Sequence, residues 1–114
     1  MIRRSLELVM ALTWGPLFEE VIFRGYLFSF SDMVLKRWIR RPGCLIVIGT
    51  AVVFAVSHFA KSGITPAQIG SVLITGLIYG CLRLAGGSTV PPVCSHIAYN
   101  SVILFAAALL RQQH

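Results

Sequence analysis

Two uninterrupted apolar stretches limit most strongly what this chain can fold into. Residues 44–60 and 66–82 contain no Asp, Glu, Lys or Arg, and each stretch is seventeen residues long. Strands usually end near about ten residues, so helices are the better interpretation. Apolar segments also cover about residues 5–30 and 90–110. Because a membrane span needs about 20 mostly apolar residues, these four segments are candidate membrane helices.

The composition supports a membrane location over a soluble fold. Hydrophobic residues make up 56% of the 114 residues, charged residues only 12%, and the mean hydropathy is +0.79. Four buried helices in so short a soluble chain would leave almost no polar face to meet water. The composition also excludes a disordered chain. We therefore predict an all-α fold, a multi-pass transmembrane bundle of about four helices in a single domain over residues 1–114.

Local signals place the loops between these segments. The clearest loop covers residues 31–43, which include Asp32, four basic residues and a Pro-Gly pair. Thr65 and Pro66 suit the cap and the first turn of the next helix. Residues 66–82 also contain three glycines, which commonly bring membrane helices close together.

Basic residues lie singly or in short groups between the apolar segments. The net charge is +6, but this placement is typical of membrane flanks facing anionic head groups. We therefore expect no nucleic-acid partner and place the basic loop at 36–41 in the cytoplasm. The three cysteines lie in apolar stretches and are predicted to pack as small hydrophobic side chains. Tyr79 is predicted to be an interfacial anchor or a packing residue.

An acidic pair stands about fourteen residues into the first segment, near mid-depth of the bilayer. Glu20 and Arg24 are four residues apart and share a helix face, so we expect Arg24 to hold Glu20 ionised. Glu19 points about 100° away and has no such partner nearby in the sequence. We expect Glu19 to be desolvated and unpaired, an environment suited to a general base. A purely structural polar knot is the alternative.

Two further polar groups interrupt the apolar segments. His58 ends the motif Phe54-x-x-x-His58, and His96 begins the motif His96-x-x-x-Asn100. The four-residue spacing projects His96 and Asn100 from one helix face. Each group alone is compatible with packing or interhelical hydrogen bonding. Ionisable residues at membrane depth are costly, however, so together with the acidic pair they indicate a functional site.

These three motifs, EExxxR, FxxxH and HxxxN in that order, resemble the CPBP family of intramembrane proteases. That family includes CAAX prenyl endopeptidases and bacteriocin-processing or immunity proteins. The resemblance covers about Leu12 to Phe105, and every motif position is present: Glu19, Glu20, Arg24, Phe54, His58, His96 and Asn100.

The resemblance implies a glutamate-dependent endopeptidase in a prokaryotic plasma membrane. Glu19, with His58, would activate a water that attacks a peptide carbonyl. His96 and Asn100 would stabilise the oxyanion, chemistry that both side chains can supply. Arg24 would fix Glu20 and help to shape the site. The implied partners are the lipid bilayer and a peptide or lipidated-protein substrate, with a CAAX-like C-terminus as one option.

Alternatives to this mechanism stay open from the sequence. Zn²⁺ could bind Glu19, His58 and His96, although the HExxH motif is absent, and we favour catalysis without a cofactor. A non-catalytic bacteriocin self-immunity or binding protein is the second function considered. A proton or ion pathway ranks last because the sequence shows no repeated halves.

The family usually carries additional helices before the first motif, whereas this sequence starts eighteen residues before Glu19. A fragment, a minimal member and a truncated reading frame are all compatible with this start. We expect the chain to be the catalytic core of a larger family fold.

Overall fold

The first apolar segment forms a nearly continuous helix that changes type along its length. A computed structural model describes residues 2–60 and 63–113. The segment comprises α1 (Ile2–Leu12), α2 (Trp14–Glu20), a π-helix (Val21–Leu27) and α3 (Phe28–Leu35). Thr13 joins α1 to α2 through backbone hydrogen bonds of 3.0 Å on both sides, so the chain direction continues across the junction.

Three longer helices follow and complete an all-α fold. They are α4 (Gly43–Ser57), which continues into a 3₁₀ turn (His58–Ala60), α5 (Pro66–Gly86) and α6 (Val90–Gln112). The prediction of an all-α bundle with four helical segments is confirmed for the residues that the structure describes. The predicted starts at Pro66 and Val90 coincide with the observed starts of α5 and α6.

Three helices in the described residues are long and apolar enough to cross a membrane, by length and composition. They are Gly43–Ala60, Pro66–Gly86 and Val90–Gln112. The predicted fourth span, residues 5–30, is helical, but it is divided into shorter helices and is not among the three. One division is at Thr13, and the next falls between Glu20 and Val21, so the change to π-helix begins directly after the acidic pair.

Two predicted boundaries are wrong. Helix α3 extends to Leu35, into the predicted 31–43 loop, and Asp32 pairs with Lys36 at 2.6 Å one turn later. Helix α5 continues past residue 82 to Gly86. It ends where Gly87 adopts a left-handed φ of +68°, a conformation that glycine adopts without steric cost.

The start of α5 has the expected cap. The Thr65 hydroxyl accepts a hydrogen bond from the Gln68 amide at 3.2 Å, and the Gln68 side chain accepts one from the Thr65 amide at 2.9 Å. This reciprocal pair is a capping box, which satisfies two amides that would otherwise lack partners at the start of the helix.

Glycines bring α5 close to α4. A Cβ at Gly80 would lie 3.0 Å from a methyl carbon of Val47, and one at Gly76 would lie 3.4 Å from the Cα of Ala51. Small residues allow this approach between membrane helices. The buried core lies along this contact and its surroundings, and includes Phe28, Ile46, Val47, Ala51, Phe54, Ala55 and Tyr79.

Candidate active site

A buried ion pair forms the centre of the site. Arg24 Nη1 donates to Glu20 Oε1 at 3.3 Å, and both side chains are 0% exposed. The predicted pairing across one helical turn is therefore confirmed. A charge buried to this degree is tolerated only with a partner, so Glu20 and Arg24 constrain each other's position.

The π-helix gives Arg24 contacts through both its backbone and its side chain. The amide of Phe28 donates to the carbonyl of Phe23, five residues back, and the Arg24 carbonyl accepts a hydrogen bond from Arg83 Nε at 2.9 Å. In return, Arg24 Nη2 donates to the Gly76 carbonyl at 2.8 Å. Helix α5 is thus hydrogen-bonded to the π-helix at two positions, Gly76 and Arg83. Stretches of π-helix are rare and often occur at functional sites.

His96, on α6, contacts both glutamates. Its Nδ1 lies 2.8 Å from Glu20 Oε1, and its Nε2 lies 3.8 Å from Glu19 Oε2. Because Glu20 Oε1 is also the acceptor for Arg24, Nδ1 is assigned as the donor of this hydrogen bond. The imidazole is buried, with 7% of the residue exposed. The sequence placed His96 in the site, but not beside the acidic pair.

Glu19 differs from its predicted environment. Its side chain is 34% exposed and lines a cavity, whereas Glu20 is the fully buried member of the pair. The prediction that Glu19 is the desolvated carboxylate is therefore wrong. The reason is that α6 supplies His96 to the face between the two glutamates, which leaves the Glu19 carboxylate directed at the open space.

His58 is held at the end of α4 with one ring nitrogen occupied. Its Nδ1 lies 2.7 Å from the carbonyl oxygen of Phe54, one turn earlier, and 3.4 Å from the Ser57 hydroxyl. A carbonyl oxygen can only accept, so Nδ1 donates the proton of this bond. Nε2 of the neutral ring is consequently the nitrogen with a lone pair to offer.

A cavity of about 580 Å³ collects the predicted side chains. Glu19, His58, His96 and Asn100 all line it, as do polar and apolar residues from α1, α2, α5 and the segment before α5. Within the described residues, the Asn100 side chain has no hydrogen-bonding partner. Its amide is therefore available to a group in the cavity. Glu20 and Arg24 lie behind this surface and reach it through His96.

The metal alternative requires three ligand side chains around one point. Within the described residues, no group of three or more His, Cys, Asp or Glu side chains is arranged to hold a metal ion. Glu19, His58 and His96 share the cavity as the alternative requires, and the two histidines each have one nitrogen engaged by a protein acceptor.

Three residues of α5 belong to this arrangement, although the sequence motifs did not include them. Gly76 accepts from Arg24, and Arg83 holds the π-helix backbone. Tyr79 is 2% exposed and stacks on His96, so the packing alternative predicted for it holds and the interfacial alternative does not. A backbone carbonyl and an aromatic ring do not produce a recognisable sequence motif, so the part of these residues in the site is visible only in the structure.

The fold and the site define a class of protein, namely a helical membrane bundle with paired glutamates, two histidines and an asparagine around one cavity. The family model described as type II CAAX prenyl endopeptidase Rce1-like matches residues 3–102. The chain belongs to this family, in agreement with the resemblance of its motifs to CPBP proteins. No curated protein and no solved structure shows a significant match to the chain.

Proposed function

We propose that the chain is an intramembrane endopeptidase that uses glutamate and histidine side chains to hydrolyse a peptide bond. The observation that carries the proposal is the shared cavity, lined by Glu19, His58, His96 and Asn100, with Glu20 and Arg24 fixed behind it. Membership in a peptidase family supports the reaction class.

Glu19 is the proposed general base. Its carboxylate faces the cavity, where a water can reach it, and it lies beside the proposed oxyanion donors. Glu19 accepts one proton of the water while the water oxygen attacks the scissile carbonyl carbon. His58 offers Nε2 to the second hydrogen of that water, because its Nδ1 proton is engaged by the Phe54 carbonyl.

His96 and Asn100 are the proposed donors to the oxyanion. The Asn100 amide can donate directly to it. His96 donates through Nε2 when its ring is protonated, and the Glu20 carboxylate at 2.8 Å from Nδ1 stabilises that imidazolium. The tetrahedral intermediate then collapses, the C–N bond breaks, and the proton taken up by Glu19 passes to the leaving amine.

The substrate we propose is a membrane-associated peptide, with a lipidated CAAX-like C-terminus as the first probe. The family description names CAAX prenyl endopeptidases. The three candidate spans support a location in the bilayer, where a lipidated substrate concentrates. We propose the prokaryotic plasma membrane as its location and no metal cofactor for the reaction.

The test is cleavage of a farnesylated CAAX peptide by the purified chain in proteoliposomes. We expect Glu19→Gln and His58→Ala each to lower kcat by at least about a hundredfold, the scale of a lost general base. Glu7→Gln is the matched control, because Glu7 is an exposed glutamate of the same segment that pairs only with Arg3 among the described residues at 3.3 Å. It should cleave like the wild type.

Chelation separates the two mechanisms. Cleavage that survives prolonged treatment with a strong zinc chelator, but not loss of Glu19, supports the glutamate mechanism. Cleavage that stops on chelation and returns with Zn²⁺ supports the metal alternative. Folded protein that cleaves equally well with and without Glu19 would refute the assigned role, and a wild type that cleaves nothing favours the binding alternative.

A further inference from the structure

Tyr79 contributes a flat aromatic surface to the site from a helix that carries none of the motifs. It lies on α5, one turn before Arg83, and its ring stacks on the His96 imidazole with a centroid distance of 4.8 Å and an interplanar angle of 20°. Parallel stacking at this distance is a favourable aromatic geometry. Tyr79 therefore covers one face of the proposed oxyanion donor.

His96 needs such a surface because its other contacts leave one rotation open. The hydrogen bond from Nδ1 to Glu20 fixes one edge of the imidazole but permits rotation about that bond. Phe54 meets the ring edge-on, with a centroid distance of 6.2 Å and an interplanar angle of 89°. The Tyr79 ring lies nearly parallel to the imidazole and so restrains the plane of the ring. That plane decides whether Nε2 points at Glu19 and the cavity.

The phenol hydroxyl of Tyr79 does not account for the presence of a tyrosine at this position. The oxygen is buried and has no hydrogen-bonding partner among the described residues. A buried polar group without a partner is unfavourable, so the hydroxyl does not account for the contact with His96. The aromatic ring of Tyr79 accounts for the contact with His96, and it also lies 5.5 Å from the Arg24 guanidinium carbon.

We propose that Tyr79 is a positioning residue that holds the His96 ring plane through aromatic stacking. The proposal rests on the proposed function, in which His96 Nε2 must point at the oxyanion. Tyr79 is one of the residues that line the cavity, but in this role it acts through His96 and not on the reacting atoms. An aromatic ring is required at this position, and a hydroxyl group is not.

The test compares two substitutions of similar size. Tyr79→Phe keeps the ring, so kcat should stay within about twofold of the wild type, and the thermal midpoint should be unchanged or higher. Tyr79→Leu removes the ring and should lower kcat about tenfold with KM changed less than threefold. Tenfold corresponds to about 1.4 kcal/mol, the upper end of what an aromatic pair contributes. If Tyr79→Leu does not fold, Tyr79→Met replaces it, since methionine fills the space without a planar face.

A second readout does not depend on cleavage. In ¹⁵N-histidine-labelled protein in detergent micelles, His96 should show one fixed tautomer, protonated at Nδ1, in the wild type and in Tyr79→Phe. In Tyr79→Leu the hydrogen bond from Nδ1 to Glu20 remains, so the tautomer should be the same, but the His96 signals should broaden because the ring plane is no longer restrained. His96→Gln assigns the signals. If the wild type fails to cleave any peptide, the proposed function fails, and this measurement still decides the role of Tyr79.

Two results would overturn the proposal. Equal loss of activity in Tyr79→Phe and Tyr79→Leu would show that the hydroxyl, and not the ring, is required. Full activity and His96 signals as narrow as in the wild type in Tyr79→Leu would show that the stacking contact does not position the ring.

Discussion

Replacing Glu20 by Gln tests whether the buried ion pair holds the helices together. Glutamine keeps the shape of the side chain and an acceptor for Arg24 and His96, but it removes the negative charge. Arg24 is 0% exposed, so its positive charge would remain buried without a counterion. Removing one partner of a buried pair costs about 3–5 kcal/mol in soluble proteins.

Because Arg24 keeps other contacts, we expect the loss of stability to lie at the lower end of this range. Its guanidinium would still donate to the Gly76 carbonyl at 2.8 Å and lie over the Phe54 ring at 4.6 Å. A cation over a desolvated ring is worth about 0.5–2 kcal/mol, and this contact stays in the variant, so the buried guanidinium keeps favourable partners after the carboxylate is lost. We expect Glu20→Gln to lower the free energy of unfolding by about 3 kcal/mol.

The measurement is reversible unfolding by SDS in mixed micelles, with a double variant as the decisive comparison. Arg24→Met combined with Glu20→Gln removes both charges and should recover stability to within about 1 kcal/mol of the wild type. Asp32→Asn is the matched control, because Asp32 and Lys36 have the same spacing but are 34% and 62% exposed. It should cost less than about 1 kcal/mol.

Glu20→Gln as stable as the wild type, or a double variant less stable than either single variant, would refute the role of the ion pair. Either result would mean that the pair does not act by charge compensation. The double variant should be inactive even when stable, since no carboxylate at Nδ1 then stabilises the protonated His96 ring that donates through Nε2.

Two further predictions concern helix α5. Gly76→Ala should lower stability by about 1–3 kcal/mol, because the new Cβ would lie 3.2 Å from Arg24 Nη2 and 3.4 Å from the Ala51 backbone. Gly70→Ala on the same helix, where the Cβ meets no atom of the described residues within 4 Å, should be neutral or stabilising in the same SDS titration. Thr65→Ala should cost about 1 kcal/mol by removing the capping box, and Thr65→Ser should restore most of it. Equal effects of the two glycine substitutions, or of the two Thr65 substitutions, would contradict these assignments.

The helices could be predicted because each depends on residues close in the sequence. Thr65 and Pro66 mark a helix start through local capping, and the uncharged stretches show their membrane character directly. The pairing of Glu20 with Arg24 follows from spacing within one helix. The end of the first segment was harder, because the Asp32–Lys36 contact supports a last helical turn in a stretch whose composition is typical of a loop.

Contacts between helices could not be predicted in the same way. His96 and Glu20 are 76 residues apart, and nothing in either motif states that they touch. That contact decides which glutamate is buried, so the environment of Glu19 was predicted incorrectly. Stacking of Tyr79 on His96 and the bond from Arg83 to the Arg24 carbonyl also depend on how the helices pack. The change to π-helix likewise has no local sequence signal that we can identify.

The buried network of Glu20, Arg24, Gly76 and His96 joins the first segment, α5 and α6 through side chains that are also part of the proposed site. Lipid chains are as apolar as the outer helix faces, so apolar contact with them does little to choose one helix arrangement over another. The same polar residues therefore determine how the helices align and take part in the proposed reaction. Mutational scanning of this chain should consequently find that substitutions on the lipid-facing surface are tolerated. Few substitutions in the buried network should change activity without also lowering the amount of the protein in the membrane.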